Sequence, residues 1–350
     1  MKNYIILFAL FLGLISCEKL IMKPNAKIDN RAIFEEYTKL VKEKYAMLEF
    51  KGVDIDFLID SIGNVITQDM NSDTLFKKLA IITNRLRDGH SSLIGVYTSG
   101  NFENIATFDL NEGFPIAFND TILRNNYTSA NVAPNLKRIA IDDEGTSIEV
   151  LYGFLPQSAT IAYIRIPSFN ITLEDEQLET IFAEIKNATG CIVDVRGNGG
   201  GDPSLSTKIA SYFMSETTYT GYERFKIGPG SSGFQDSPSN VTPAESDNRF
   251  TEAVVVLTDR GCYSATTTLC YNMNPLAQVT FMGQRTGGGS GSVADGFLAN
   301  GWQWSLSTSE FIDHLGNHLD DGINPDIQVL FDNTDQSQDE ILDEALLYLQ

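Results

Sequence analysis

The chain is poor in the residues that metal and thiol chemistry draw on. Its 350 residues include three histidines, His90, His314 and His318, and four cysteines. No Cys-x-x-Cys pair and no Cys/His spacing of a zinc site occurs, so a structural zinc is excluded. With Cys17 set aside, Cys191, Cys262 and Cys270 are an odd number and give no full disulfide framework. Cys191 reads as a buried strand residue. Basic residues are also scarce: 25 Lys and Arg stand against 46 Asp and Glu, for a net charge of −21. With no basic stripe and interleaved aromatics, a nucleic-acid surface is not expected. The glycine run Gly197-Asn-Gly-Gly-Gly201 has Asp202 where a dinucleotide fingerprint needs its last glycine, and no Gly-Lys-Ser/Thr of a P-loop follows. The apolar stretch from Tyr4 to Ile15 is too short to span a bilayer as a permanent helix.

That stretch follows Met1-Lys-Asn and ends at Ser16-Cys17, the layout of an export signal. Leu14-Ile-Ser-Cys17 resembles a bacterial lipobox. The resemblance implies a signal peptide over 1–16 and a lipid on Cys17. The protein would then be tethered to a membrane of the bacterial cell envelope outside the cytoplasm, at the outer membrane or cell surface. The plainer alternative is a secretory signal with an incidental cysteine.

From 17 to 90 the pattern predicts a helical subdomain. Phe34, Tyr37, Leu40, Val41 and Tyr45 recur at three and four. Asp73 could cap a helix carrying Leu75, Leu79, Ile82 and Leu86, with Gly89 as its stop. The segment 91–158 reads as β-rich and connecting. Within it, Asp142-Asp-Glu-Gly145 reads as a turn between strands at Lys137–Ile141 and Ser147–Tyr152. From 159 to 350 strands and helices alternate: strands near 160–166, 191–195, 253–258 and 278–282, helices near 174–188, 204–214 and 264–275. This predicts an α/β core with a largely parallel sheet. Gly228 to Asn248, rich in Gly, Ser, Pro and Asn, reads as a mobile loop, and His314 and His318 as a hairpin surface.

Two strand-to-loop junctions carry the chemistry. Ser264 stands where the run Ala253–Thr258 hands over to a helix, a place that presents a nucleophile and aims the amide of Ala265 at a developing oxyanion. The competing role is a helix N-cap. The glycine run 197–201 could donate the amide of Gly200 or Gly201 to the same oxygen, or serve as a sharp turn. Gly287-Gly-Gly-Ser-Gly291 could line the same cleft or form a flexible connection. A proton acceptor is needed, and His90, in a tight Asp-Gly-His turn, is the candidate; a helix-end cap is its alternative.

Asp194-Val-Arg-Gly-Asn-Gly-Gly-Gly201, Tyr263-Ser-Ala265, Gly283-Gln-Arg-Thr-Gly-Gly288 and Gly322-Ile-Asn-Pro-Asp326 resemble, in order, the landmarks of the carboxyl-terminal processing protease family, and Leu86-Arg-Asp-Gly-His90 resembles its landmark upstream of the core. That family includes the tricorn core protease and the retinoid-binding repeats of the eye. The resemblance spans roughly Asn30 to Leu349. It implies an α/β fold with a crotonase/ClpP-like core and an N-terminal helical subdomain. It also implies a serine-type peptidase with Ser264 as nucleophile, and with Ala265 and Gly200 or Gly201 as oxyanion donors. The tail-processing branch uses a lysine just past the Gly-x-x-Thr-Gly motif, and Thr286–Ser292 contains none. The tricorn-like branch uses an upstream histidine, which His90 matches. Two departures stand out. Gly89 occupies the place of that branch's relay serine, and its late glutamate has only Asp320 and Asp321 as loosely aligned counterparts. No PDZ domain is expected, since 91–158 is too short. The implied protein is a membrane-anchored extracytoplasmic serine endopeptidase acting on proteins or peptides, with no metal or organic cofactor. The alternative is a catalytically inactive surface lipoprotein that binds peptide, lipid or glycan on the same fold.

Overall fold

The computed structural model describes residues 29–96, 102–107, 118, 120–143, 146–229, 233–332 and 334–350. Cys17, with the lipid expected on it, lies outside the described residues.

Three amphipathic helices open the chain: α1 (Asn30–Lys44), α2 (Ile55–Gly63) and α3 (Ser72–Arg85). The 3.6-residue stripe is buried as its spacing requires, with Phe34, Tyr37 and Val41 of α1 and Leu75, Leu79 and Ile82 of α3 inside. The cap of α3 is Asn71, whose side chain accepts from Thr74 N at 2.8 Å. Asp73 falls in the first turn instead, where its charge suits the helix N-terminus. The helix stops before Gly89: Arg87 takes the left-handed conformation, at φ 50°.

Strands β1 (Ser92–Val96) and β2 (Phe102–Thr107) follow. After them come a short helix α4 (Asp120–Leu123), β3 (Lys137–Asp143), β4 (Thr146–Phe154) and β5 (Ile161–Arg165). The next elements are α5 (Asp175–Ile185), β6 (Gly190–Asp194), α6 (Pro203–Ser211), β7 (Thr218–Lys226), β8 (Phe234–Val241), β9 (Ala253–Thr258) and α7 (Ala265–Met273). The chain closes with β10 (Val279–Gly283), β11 (Val293–Phe297), β12 (Gln303–Ser307), β13 (Ser309–Asp313), β14 (Ile327–Gln328) and α8 (Glu340–Tyr348).

The central sheet has the order β14-β10-β9-β6-β5-β4-β3. Its members from β14 to β5 are parallel; β4 and β3 join antiparallel, as the turn at 142–145 predicts. The middle strands are buried and mostly apolar because both faces are covered, with polar residues confined to their C-terminal ends at Arg165, Asp194 and Thr258. Cys191, Val193, Val254 and Val256 face one core, with residues of α5, α6 and α7. Ile192, Val255, Leu257 and Met282 face the other, with residues of α4 and α8.

The β-rich segment 91–158 does not stay together. Its second half, β3 and β4, extends the core sheet. Its first half joins β12 and β11 in a sheet of order β11-β12-β1-β2. That sheet packs on the N-terminal helices, with Leu93, Trp302, Trp304 and Leu306 buried beside Tyr37 and Leu79. A boundary at 158/159 would part strands that pair, β4 from β5 and β1 from β12. The stretch read as a loop from 228 to 248 contains β8, paired with β7 from Thr218↔Val241 to Lys226↔Phe234. It is an edge strand, and an edge accepts Pro238 and polar side chains that a central strand would reject.

Candidate active site

The first junction is built on a buried charge network. Asp194, at the end of β6, receives Arg196 Nε at 2.9 Å and Arg196 Nη2 at 2.7 Å. Arg196 also reaches Asp339 at 2.7 Å, and Tyr163 OH donates to Asp194 at 2.9 Å. Burial alone would raise the Asp194 carboxyl, but Arg196 and Arg165 overcome that and hold it down at about 2. Arg165 donates to the carbonyl of Arg196 at 2.7 Å, so the chain enters the glycine loop in a fixed direction.

Asn198 then ties the loop to the second junction. Its carbonyl accepts Tyr263 N at 3.1 Å and Thr266 Oγ1 at 2.9 Å. Its side chain donates to Ile166 O at 3.0 Å and accepts Gly200 N at 2.9 Å. Gly200, at φ 105°, lies so close to the second junction that a Cβ there would sit 2.7 Å from the Ser264 Cβ and 2.9 Å from Ala265 N. Glycine is required here for contact as well as for φ. Of the two glycines expected to donate to an oxyanion, Gly200 has its amide engaged by Asn198. The amides of Gly201 and Ala265 carry no hydrogen bond among the described residues.

Ser264 precedes the first residue of α7 with φ 56° and ψ −121°, and its side chain makes no capping bond. The N-cap alternative is therefore not the arrangement found. A non-glycine residue in this region is strained by about 1–3 kcal/mol, and such strain collects at functional turns. It is the geometry of a strand-to-helix elbow that lifts a hydroxyl clear of its sheet. Ser264 N donates to Gly288 O at 2.9 Å, and Thr267 Oγ1 donates to the same carbonyl at 2.8 Å. The glycine run 287–291 is thus packed against the elbow. A Cβ on Gly289 would strike the Tyr263 ring at 2.0 Å.

Ser264 and Ala265 open on a groove of about 780 Å³, bordered by Ser290 to Ser292, by residues 237–242 of β8 and its end, and by Lys208 and Thr268. The groove suits an extended polar chain more than a compact apolar ligand. Among the described residues, no group of three or more His, Cys, Asp or Glu could hold a metal ion. Cys191, Cys262 and Cys270 are buried free thiols.

His90 lies beside the elbow. Its ring packs on Tyr263, the residue before Ser264, with centroids 4.9 Å apart. Among the described residues no hydrogen bond joins His90 to Ser264, and His90 Nδ1 is buried without a partner. Burial lowers the His90 pKa below its ordinary value, against an opposing pull from Asp88. The imidazole is neutral at neutral pH, the form a base needs. Asp320 and Asp321 do not reach it. Both are taken by Lys51, Asp320 as a buried pair and Asp321 at 3.3 Å. Burial, reinforced by the charge of Asp88 and opposed by Lys51, raises Asp320 to about 7. His314 and His318 are elsewhere. His318 stacks on Phe50 at 4.3 Å, so it is more than hairpin surface.

Comparison with known proteins agrees with this geometry. Residues 160–329 match peptidase family S41. A candidate peptidase from Parabacteroides merdae ATCC 43184, known as a crystal structure, is 32% identical; the match covers 92% of this chain and 97% of that one, with a TM-score of 0.80. The carboxy-terminal processing protease CtpA of Bacillus subtilis (strain 168) is 26% identical over 151 residues, which are 43% of this chain and 30% of that protein. The chain thus matches less than a third of the length of this relative. The mature form of CPAF shares the fold at 13% identity, with 91% and 96% of the two chains covered and a TM-score of 0.59. Together with the elbow and its glycine loop, these matches place the chain in peptidase family S41, a family of serine-type peptidases.

Proposed function

We propose that this protein is a serine endopeptidase of proteins or peptides, held outside the cytoplasm by a lipid on Cys17. The observation that carries the catalytic reading is the strained elbow at Ser264, with open amides beside it and a groove before it. In this reading His90 takes the Ser264 hydroxyl proton as the oxygen attacks a peptide carbonyl. The tetrahedral oxyanion is held by the amide of Ala265, at the N-terminus of α7, and by that of Gly201, since the Gly200 amide is already given to Asn198. His90 returns the proton to the leaving amine, and a water activated by the same imidazole hydrolyses the ester on Ser264. Hydrogen bonds of a free site commonly tighten only once substrate is bound, so the substrate is what brings imidazole and hydroxyl together.

The test is hydrolysis of an unfolded protein by the wild-type chain and by Ser264→Ala. We expect the variant to fold and to lose turnover; equal hydrolysis by both would sink the reading. A serine-directed phosphonate should label the wild type alone. Anchoring is tested separately, by whether fatty acid is incorporated into the exported chain and lost in Cys17→Ala.

A further inference from the structure

We propose that Asp88 is a positioning residue that holds His90 and the Ser264 elbow in a common register, a role that rests on the peptidase reading above. Asp88 is 2% exposed. Its Oδ1 accepts the backbone N–H of His90 at 2.9 Å and the hydroxyl of Tyr263 at 3.4 Å. Its Oδ2 accepts Ser91 Oγ and Ser307 Oγ, each at 2.7 Å. The donors come from three distant parts of the chain: the turn itself, the residue before the nucleophile, and the end of β12.

All four groups can donate, which a carboxylate satisfies at both oxygens; an amide would turn a donor toward one of them. The carbonyl of His90 accepts Ser305 Oγ at 2.9 Å, so the backbone of this residue is held at both its N–H and its C=O. The ring itself has no carboxylate on Nδ1. What orients it is its own main chain and the face of Tyr263, and Asp88 bonds to both. Tyr263 in turn fixes Ser264 through the Asn198 contact. The relay serine absent at Gly89 is thus answered by hydroxyls that converge on Asp88. The other charged groups here, Lys51, Arg87, Arg260, Arg285, Asp320 and Asp321, line a cavity of about 210 Å³ that Asp88 and Tyr263 also border.

The experiment uses the full chain with Asp88→Asn. Imidazole titrations of the three histidines are followed by NMR, together with kcat and KM on an unfolded protein. Removing the Asp88 charge should move the His90 titration to lower pH and leave His314 and His318 where they are. Turnover should fall by about 10²-fold with KM unchanged, the scale on which a small misplacement costs an enzyme. A folded Asp88→Asn chain with the wild-type His90 titration and turnover overturns the proposal. Should that variant fail to fold, Tyr263→Phe decides. It removes one donor and leaves the carboxylate in place, and unchanged kcat there overturns the link to the elbow. A shifted His90 titration in a protein whose wild type hydrolyses nothing would preserve the positioning role and remove the peptidase reading, so the two failures are told apart.

Discussion

Arg87 and Ser264 are the described non-glycine residues with positive φ, and they flank the two halves of the site. Strain at these positions persists because neighbouring contacts over-determine them. Gly200 makes one such contact with Ser264 itself. Alanine there should push on Ser264 and occupy a left-handed position, lowering both activity and melting temperature. We expect about 1–3 kcal/mol of lost stability and a larger fractional loss of turnover than of stability. A Gly200→Ala chain with normal kcat would show that the contact has slack. His90 makes a second prediction at this scale. Its pKa lies below the ordinary value of about 6.5, so kcat/KM should rise with pH through a midpoint below that value and be nearly complete at neutrality. A midpoint above about 6.5 would mean that another group, or a charged environment, governs the base. Residue identities of this kind were readable in the sequence where a motif marks them, as at Ser264 and His90. Asn198 and Asp88 were not. Nothing local announces that the Asn198 side chain reaches Ile166 and its carbonyl Tyr263, or that the Asp88 carboxylate reaches Ser307.

At the scale of elements, long apolar runs made the central strands plain, because burial on two faces leaves no other composition. The strand β8 was hidden for the opposite reason. An edge strand needs pairing on one side only, so Ser, Pro and Asn are tolerated and the segment looks like a loop. The charge network at the end of β6 makes its own prediction. The Asp194 carboxyl is held down at about 2 by Arg196 and Arg165 against burial. A depressed carboxylate contributes stability that is complete above its unfolded value of about 3.9 and is lost as pH falls toward 2. Acid unfolding of the wild type should therefore steepen between about pH 4 and 2. Replacing Arg196 by Met leaves Asp194 and Asp339 buried without their main partner and should cost about 3–5 kcal/mol in urea denaturation at neutral pH. A loss under 1 kcal/mol would show that Arg165 and Tyr163 suffice.

Across the whole molecule, the subdomain of three helices is joined to the core by the shared sheet and by the pair Lys51 with Asp320. The α/β class, the helical N-terminus and the mostly parallel sheet follow from periodicity alone. That β1 and β2 belong with β11 and β12 does not, since strand pairing across two hundred residues leaves no local trace. The Lys51–Asp320 pair is testable at this scale. Lys51→Met should lower the melting temperature at neutral pH, and the penalty should shrink on acidification, because Asp320 accepts a proton more readily than an ordinary carboxyl does. A penalty that grows as the pH falls would reverse that sign and refute the buried charge as its cause.

The surroundings of His90 are completed by Ser305 and Ser307, which the chain supplies only after some nine-tenths of it has been made. A nascent polypeptide still emerging from the ribosome, or a product truncated before β12, cannot assemble that environment. On the positioning role proposed for Asp88, peptidase activity should appear only in chains that extend past Ser307.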